Sequence, residues 1–406
     1  MEIVVKKYGG TSVGTAERIK AVARRLAKSR DEGKQVVVVV SAMGNTTDDL
    51  ISLARQITEH PDDREMDHLL STGEMISCTL LSMALHAIGY PAVSLSGAQA
   101  GIKTDSAHRR ARIMAIDPTR INREFELGRI VIVAGFQGIS EGMDITTLGR
   151  GGSDLTAVAM AARLGAKVCE IYTDVDGVFT ADPRIEPKAR KLADISYEEM
   201  VELASQGSRV MHPRAVEVGQ VFDLPILVAS SFNQVTGTLI HKEVEMEVRN
   251  KVRGIAHDTD VAKVTVLGVP DRPGIAAAIF EPLAEAGISV DTIVQNASVE
   301  RITDLTFTVG RNDLGRAMDL VEPLARSIGA RGCVNDSSLA KVSIVGTGMA
   351  SSPGYAARMF KALHQAGINI ELITTSEIRI TCIIGESQVK DAVRSLHQAF
   401  ELEKAD

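Results

Sequence analysis

The sequence contains no tryptophan, and aromatic residues make up only 3% of its 406 residues. Its basic residues are dispersed along the chain, and the formal net charge is −7. Proteins that bind nucleic acid combine positive charge along the phosphate backbone with aromatic rings that stack on the bases. The composition therefore argues against a nucleic-acid-binding protein.

Cysteine and long apolar runs are also scarce. The four cysteines form no CxxC pair and lie far from histidine clusters; they are Cys78, Cys169, Cys333 and Cys382. This spacing argues against a structural zinc site and favours a reducing compartment. The longest apolar runs, such as residues 36–40, have the length of a strand rather than of a membrane span. Residues 1–6 lead directly into a strand pattern, so we expect a cytoplasmic protein with no signal peptide.

The first 240 residues alternate short β-branched runs with amphipathic helical patterns. The predicted strands are 3–6, 35–40, 92–96, 130–136, 168–173 and 226–229, and the predicted helices are 15–30, 67–88, 153–164, 197–204 and 213–222. Because the strands read as continuous apolar runs, the pattern predicts an α/β domain whose sheet is covered by helices on both faces. The charged stretch 59–67 is expected to be a solvated loop between helices.

An internal repeat follows the charged segment 242–250, where we place a domain boundary. Residues 273–293 align without a gap to residues 353–373, with ten identities in 21 positions. The strand patterns that precede them, 262–268 and 340–346, also match. Repeated strand and turn patterns indicate two copies of one structural unit.

The first copy continues with a strand at 302–309, a helix at 313–328 and a strand at 331–334, which predicts a ferredoxin-like βαββαβ unit. The second copy continues with a strand at 378–384 and a helix at 387–400, but it lacks a last strand. We expect residues 248–257 to supply that strand, so that the two units interlock.

Arg150 stands among three glycines in the stretch TTLGRGGSD, before an alanine-rich helix that Ser153 or Asp154 would cap. Glycines allow backbone N–H groups to converge on a small anion, and a guanidinium binds a carboxylate or phosphate through two parallel hydrogen bonds. An ordinary strand-to-helix turn with a surface arginine explains the same pattern equally well.

Other turns also suggest a site for charged ligands. Lys7 ends the first strand and precedes Gly9 and Gly10, which is a pattern suited to phosphate, although no GxxxxGK[ST] or GxGxxG sequence occurs. Taken alone, it fits a glycine-rich turn with a solvated lysine slightly better. Glu74 lies among apolar neighbours and needs a cationic partner if it is buried, such as the ammonium group of a ligand.

The stretch YTDVDGVFTADPR at 172–184 is dense in Asp, Gly and Pro and predicts a long structured loop. Asp174 and Asp176 are compatible with binding of Mg²⁺, with contacts to ribose hydroxyls, or with a purely structural turn. A metal site in this loop is not favoured, because Mg²⁺ on nucleotides is held mainly by phosphate oxygens.

Taken together, the turns resemble those of the aspartokinases, members of the amino-acid-kinase family. The matching stretches are KYGGTSV (7–13), SAMGNTT (41–47), STGE (71–74), TTLGRGGSD (146–154) and YTDVDGVFTADPR (172–184). The repeat looks like the pair of ACT domains of these enzymes, so the resemblance covers almost the whole chain. It implies an amino-acid-kinase-type three-layer αβα domain at 1–245, a ferredoxin-like ACT domain at 261–337, and a second one built from 248–260 plus 338–406.

The resemblance implies transfer of the γ-phosphoryl group of ATP, carried with Mg²⁺, to the side-chain carboxylate of L-aspartate. This reaction yields 4-phospho-L-aspartate, the first step of lysine, threonine and methionine biosynthesis. Since the substrate's carboxylate, with a pKa near ~4, is already ionised at neutral pH, no general base is required. The alternatives are a glutamate-type carboxylate kinase of the same fold and a non-catalytic amino-acid sensor.

Site residues follow from the same resemblance. Lys7 stabilises the transferring group, and Asp154 positions Lys7 or the metal, with no protein metal site expected. The implied substrate-binding residues are Ser41, Thr47, Glu74, Arg150, Gly151, Gly152 and Ser153, with Glu74 on the α-ammonium and Arg150 on the α-carboxylate. The implied nucleotide contacts are Lys7, Tyr8, Gly9, Gly10, Ser41, Thr173, Asp174, Phe179, Arg184 and Arg209, the last in place of a lysine found in many relatives.

For the ACT pair, the resemblance implies feedback regulation by lysine and threonine, singly or together. The implied effector contacts are Asp271, Gly274, Ile275, Gln295, Asn369, Ile370, Ser376 and Glu377. It also implies a homo-oligomer formed through these domains, and it allows a separate C-terminal regulatory chain to join that oligomer. A repeat that serves only for dimerisation is the alternative.

Overall fold

The computed structural model describes residues 1–242, 252–296, 302–350 and 352–404. They form two compact units. The first consists of residues 1–179, 191–205 and 209–242, and the second consists of residues 180–190, 206–208 and the described residues from 252 onwards. Each unit is described by itself.

The first unit contains twelve strands in the described residues. They are β1 Ile3–Tyr8, β2 Gln35–Val40, β3 Ala92–Leu95, β4 Ile102–Thr104, β5 Ile113–Ile116, β6 Ile130–Ala134, β7 Gln137–Ile139, β8 Ile145–Thr147, β9 Cys169–Thr173, β10 Asp194–Ser196, β11 Ile226–Ser230 and β12 Thr238–His241. Eight of them form one sheet in the order β10-β12-β11-β9-β1-β2-β6-β3. The pairs from β11 through β3 are parallel, as the continuous apolar runs predict.

Helices cover both faces of this sheet. They are α1 Ala16–Asp31, α2 Thr46–Ile57, α3 Asp63–Ala87, α4 Thr119–Glu126, α5 Gly152–Leu164, α6 Tyr197–Ser205 and α7 Pro213–Val221. On one face, α1 and α3 pack against alternate residues of the central strands, such as Val36, Val38 and Val40 of β2. On the other face, α5 contacts β1, β2 and β9. The result is a three-layer αβα unit.

A second, four-stranded sheet, β5-β4-β7-β8, was not predicted from the sequence. Three of its strands have only three residues, so they are too short to show an alternating pattern. Helices α2 and α4 were missed as well.

The expectation of a solvated loop at 59–67 is wrong from residue 63 onwards. Helix α3 begins at Asp63, where the Asp62 side chain accepts hydrogen bonds from the N–H groups of Arg64 and Glu65. The charge run is therefore a capped first helical turn, with acidic residues where the helix dipole favours them. Asp67, its last member, is fully buried.

The second unit contains a six-stranded antiparallel sheet in the order β14-β15-β13-β16-β18-β17. Its elements are β13 Gly254–Pro270, α8 Ile275–Glu285, β14 Val290–Gln295, β15 Ile302–Val309, α9 Leu314–Ser327, β16 Gly332–Val345, α10 Tyr355–Gln365, β17 Leu372–Thr375, β18 Arg379–Gly385 and α11 Val389–Ala399. Each repeat has its own apolar core under its own pair of helices.

Two long strands run through both repeats. Residues 254–258 of β13 pair with residues 341–345 of β16, and residues 263–267 of β13 pair with residues 332–336 of β16. Residues 248–251 of the strand predicted for the second repeat lie outside the described residues. The separate strands predicted at 331–334 and 340–346 are one continuous strand, because β13 provides an uninterrupted partner apart from local register shifts near Val261.

Among the ion pairs that connect the repeats, two involve matching positions of the repeat. Lys263 of the first repeat pairs with Glu371 of the second at 3.2 Å, and Lys341 of the second pairs with Asp291 of the first. Lys263 and Lys341 occupy matching positions of the repeat, and so do Asp291 and Glu371. The two contacts are therefore related by the internal symmetry of the repeat.

Candidate active site

Four neighbouring parallel strands of the large sheet, β9, β1, β2 and β6, end at one edge of the sheet. Open α/β sheets bind ligands beyond the carboxyl ends of such strands. The chain segments that follow these strands carry the glycine-rich and acidic motifs of the sequence. The N-terminus of α5 packs against the same edge, because a Cβ built on Gly135, directly after β6, would lie 2.8 Å from the side chain of Ser153 in α5.

Lys7, near the end of β1, forms an ion pair with Asp154 in the first turn of α5, and the Nζ–Oδ1 distance is 2.6 Å. Both side chains are about nine-tenths buried. Lys6 points to the opposite face of the sheet, where its Nζ lies 3.0 Å from Glu170. Successive side chains of a strand point to opposite faces of the sheet, so only one of the two adjacent lysines lies at the site.

The turn after β1 packs directly on the turn after β2. A Cβ on Gly10 would lie 2.6 Å from the carbonyl oxygen of Ala42, and the N–H of Gly44 donates to the Gly10 carbonyl at 3.1 Å. Only glycine fits between these backbones. Ser41 donates its N–H to Tyr8 at 3.1 Å and, like Thr47 in the first turn of α2, is half-buried.

Glu74 on α3 is 3% exposed and has an unpaired oxygen. Its Oε1 accepts a hydrogen bond from the N–H of Ala42 at 3.1 Å, whereas its Oε2 is buried without a partner among the described residues. Burial raises the pKa of Glu74 to about 7, partly offset by the Ala42 hydrogen bond. The carboxylate therefore lacks the cation that would stabilise its charge.

The turn that carries Arg150 depends on its glycines. Gly149 and Gly151 have φ of +82° and +68°, and a Cβ on Gly151 would lie 2.4 Å from the His212 side chain. Gly151 precedes α5, and no side chain caps the helix, so the expected cap by Ser153 or Asp154 is wrong. Both residues lie inside the first turn, where the N–H groups of Gly152 and Asp154 donate to backbone carbonyls at 3.0 Å. The N–H of Ser153 has no backbone acceptor among the described residues, which leaves it for an anion.

Arg150 itself is exposed, and within the described residues its guanidinium has no hydrogen bond or ion pair. Lys7, Glu74 and Arg150 are thus brought to one edge of the sheet, and Glu74 and Arg150 have no ion-pair partner among the described residues. A zwitterionic ligand is the chemistry that this arrangement fits.

Comparisons with known proteins identify the family. A model of the amino acid kinase family matches residues 2–230, and two models of the ACT domain match residues 263–326 and 342–400. An aspartokinase of Pseudomonas aeruginosa is 52% identical over 405 residues, which cover 99% of this chain and 98% of that protein. The chain belongs to the aspartokinase family.

Two crystal structures of E. coli aspartokinase III, each 25% identical, support the same assignment. For the R-state complex with aspartate and ADP, the TM-score is 0.84, and the match covers 98% of this chain and 99% of the E. coli chain. For the T-state complex with lysine and aspartate, the TM-score is 0.74, and the match covers 98% of this chain and 100% of the E. coli chain. The predicted family, the predicted fold class and the prediction of a kinase are confirmed.

Several of the nucleotide contacts expected for an aspartokinase lie at the end of β9 and in the residues that follow it. Thr173 ends β9, next to the exposed Asp174, and Phe179 pairs with Lys191 in an isolated bridge. The Tyr8 ring is fully buried and stacks on Tyr172 at 4.9 Å, so Tyr8 offers a ligand only its backbone.

Two predicted nucleotide-binding arginines differ in their surroundings. Arg209 belongs to the first unit and is exposed. Arg184 belongs to the second unit, where its guanidinium pairs with Asp182 at 2.8 Å.

The expected effector residues of the aspartokinase lie in matching places of the two repeats. Gly274, with φ of +90°, immediately precedes α8, just as Gly354, with φ of +108°, immediately precedes α10. Ile275 is buried in the core of the first repeat, so it offers only its backbone, and Asn369 donates to Glu371 at 3.1 Å. The other expected residues, Asp271, Gln295, Ile370, Ser376 and Glu377, are exposed or half-buried.

The sequence analysis missed Asp67 and His212. Asp67 lies seven residues before Glu74, so the helical period places both on one face of α3, and this spacing is a signal that could have identified it. His212 precedes α7, and partial burial against the Arg150 turn lowers its pKa. No local pattern indicates that contact.

Residues 1–242, 252–296, 302–350 and 352–404 contain no group of three or more His, Cys, Asp or Glu side chains placed to hold a metal ion. In the same part of the chain, every helix is too short or too polar to cross a membrane.

Proposed function

We propose that the chain transfers the γ-phosphoryl group of ATP to the side-chain carboxylate of L-aspartate. The observation that carries this proposal is the buried, half-paired carboxylate of Glu74 at the same sheet edge as the unpaired Arg150 and the Lys7–Asp154 ion pair. The crystal structure of a relative with aspartate and ADP supports the choice of substrates.

Glu74 binds the α-ammonium group of the substrate, and Arg150 binds its α-carboxylate through two parallel hydrogen bonds. Ser41, Thr47, Gly151, Gly152 and Ser153 line the remainder of the substrate site. The side-chain carboxylate of aspartate is then the free nucleophile, already ionised at neutral pH, and the protein needs no base.

The protein contributes alignment and charge stabilisation. Lys7 neutralises charge on the transferring phosphoryl group, while Asp154 fixes the position of the Lys7 ammonium group. The backbone N–H groups at Gly10 and at the start of α5 bind phosphate oxygens. The N–H of Gly9 already donates to the carbonyl of Tyr172 at 3.1 Å, so Gly9 contributes only room for the phosphate next to the backbone. The Asp154 carboxylate beside Lys7 would help to hold a Mg²⁺ ion carried with ATP, and that ion would neutralise phosphate charge.

The nucleotide is bound by the backbone at Tyr8 and by Thr173, Asp174, Phe179 and Arg209. Arg184 stays a predicted nucleotide contact. The domains are 1–245, 261–337, and 248–260 plus 338–406. All four cysteines are free, which suits the cytoplasm.

The two repeats bind lysine and threonine at the residues named above and reduce the activity when these end products accumulate. The relative crystallised with lysine supports an effector of this class. The repeats also mediate self-association. Equilibrium dialysis tests effector binding, and an absence of binding favours a repeat that serves only for dimerisation.

ADP release, measured with aspartate and then with glutamate, tests the catalytic proposal. We expect turnover with aspartate at a far higher kcat/KM than with glutamate. Comparable turnover with glutamate indicates a sister carboxylate kinase, and no turnover with either amino acid indicates a sensor.

The two adjacent lysines of β1 provide a matched pair of variants. Lys7→Ala should lower kcat by roughly two or more orders of magnitude with a modest change in KM. Lys6→Ala removes an equally buried lysine on the opposite face of the strand, and kcat should stay within about threefold. Near-normal turnover of Lys7→Ala would exclude Lys7 from catalysis.

A further inference from the structure

The carboxylate of Asp67 is completely buried, although no part of the proposed reaction uses it. Asp67 lies on α3, and seven residues separate it from Glu74. A rigid helix therefore fixes the two carboxylates about 10 Å apart along its axis.

Asp67 binds three donors that come from two other segments. Its Oδ2 lies 2.8 Å from His108 Nδ1, and its two oxygens accept the N–H of Arg109 at 3.0 and 3.1 Å. Its Oδ1 also accepts a hydrogen bond from the hydroxyl of Thr147, which ends β8. Arg109 has φ of +65°, a left-handed conformation that a non-glycine residue keeps only when its surroundings stabilise it.

These donors hold the Arg150 turn in place. Thr147 is three residues before Arg150, and its carbonyl accepts the N–H of Ala111 at 2.9 Å. A Cβ on Gly149 would lie 3.0 Å from the carbonyl oxygen of Arg109, so the turn rests directly on the segment that Asp67 binds.

Arg214 of α7 also holds the Arg150 turn against the segment that follows Arg109. Its guanidinium donates to the carbonyl of Leu148 and to the carbonyl of Ala111, each at 3.0 Å. The backbone of both segments is therefore fixed, and in the Arg150 turn it is fixed as far as Gly149. Arg150 is the first residue after Gly149, and its side chain is free.

We propose that Asp67 is a positioning residue that sets Arg150 at the correct distance from Glu74 for a substrate carrying both an ammonium and a carboxylate group. This inference rests on the proposed function of Arg150 and Glu74. Because Asp67 and Glu74 belong to one helix, a single rigid element then defines both ends of the amino-acid site. A displacement of about 1 Å at such a site is enough to weaken substrate binding strongly.

Asp67→Asn tests the proposal, because the amide keeps the size of the side chain but replaces one acceptor oxygen by a donor. We expect the KM for aspartate to rise at least tenfold, while kcat and the KM for ATP stay within threefold. Thr147→Val removes one of the three donors and should raise the same KM by a smaller factor. It serves as the second variant if Asp67→Asn does not fold.

The matched control is Glu124→Gln. Glu124 is another buried carboxylate of the same unit, and it pairs with Arg120 and Arg129 at 2.6 and 2.8 Å, away from the Arg150 turn. Its loss should lower the thermal unfolding temperature and leave the KM for aspartate unchanged. If Asp67→Asn and Thr147→Val also change only the unfolding temperature, Asp67 is a purely structural residue and the inference is wrong.

Arg150→Ala separates this inference from the proposed function. If Arg150→Ala leaves aspartate kinetics unchanged, the role proposed for Arg150 fails. If it raises the KM but Asp67→Asn does not, only the positioning role fails. If both raise the KM, Asp67→Asn should add little in the Arg150→Ala background, because its effect acts through Arg150. Independent, multiplicative effects would overturn the inference.

Discussion

Glu74 is stabilised in its charged form only when a cation reaches it. Burial favours the neutral acid and raises its pKa to about 7, since one N–H donor does not replace the water that the carboxylate has lost. A bound ammonium group would return the pKa towards its ordinary value. Substrate binding and proton loss at Glu74 are therefore linked.

This linkage predicts a pH dependence of aspartate binding. Below about pH 7 the free site is increasingly protonated, so aspartate must displace a proton, and its KM should rise towards tenfold per pH unit. Above pH 7 the KM should level off. Steady-state kinetics at saturating ATP between pH 5.5 and 8.5 measure this effect.

Glu74→Gln is the reference for that experiment. The amide cannot ionise, so the variant should have a high KM for aspartate at every pH and lack the rise below pH 7. The same slope in both proteins would assign the pH dependence to another group.

Among the elements, α3 carries both Glu74 of the proposed substrate site and Asp67, which we propose to position Arg150. Its buried face presents Asp67, Gly73 and Glu74 to two different turns. At Gly73 the helix approaches the turn after β2 so closely that a Cβ would lie 2.9 Å from the Cβ of Ala42. This approach allows Glu74 to reach the N–H of Ala42.

Gly73→Ala therefore sets two effects against each other. Alanine favours the helix by about 1 kcal/mol, whereas an extra methyl group in a packed contact costs about 1–3 kcal/mol. We expect a net loss of stability, because the Cβ of Ala42 is held by its backbone and cannot rotate away. The displaced helix should also raise the KM for aspartate. Thermal unfolding and steady-state kinetics measure the two effects.

Gly315→Ala is the control for that experiment. Gly315 lies in α9, and a Cβ there meets nothing within 4 Å, so only the helix propensity applies. Its unfolding temperature should rise slightly, with kinetics unchanged. A stabilised Gly73→Ala variant with a normal KM would contradict the packing argument.

Helices and strands with a clear hydrophobic pattern in the sequence could be predicted. Those whose bounds depend on the strand or helix they pack against could not. Strands 35–40 and 302–309 have the predicted bounds, because each is a run of β-branched and apolar residues between turns. The joined strands β13 and β16 were predicted as shorter pieces, since nothing local shows that each continues into the other repeat. The start of α3 was missed because its capping aspartate resembles the rest of a charged loop.

In the whole molecule, the chain passes between the two units several times. Residues 180–190 leave the first unit after Phe179 and return at Lys191, and they contribute Ala181 and Ile185 to the core of the second repeat. The carbonyl of Thr180 also accepts the N–H of Ile255 at 2.8 Å. The segment after the proposed nucleotide loop is therefore part of the second unit.

This connectivity predicts how proposed effectors would act on the chain. Lysine with threonine should slow ADP release and change amide hydrogen exchange within residues 180–190, because a ligand changes activity only by binding two states unequally. The buried strand β2 is the internal reference and should exchange equally slowly with and without effectors. Inhibition without a change at 180–190 would exclude this route, and binding without inhibition would exclude regulation.

The sequence by itself determined the glycine-rich turns, the internal repeat and the residue types that carry charge, because these are local patterns within a few tens of residues. The tertiary structure decided which charges are paired. Lys7 meets Asp154, Asp67 meets donors 41 and 80 residues away, and Arg150 meets none within the described chain. Pairing and desolvation depend on every neighbour that folding brings close, and no local pattern contains that information.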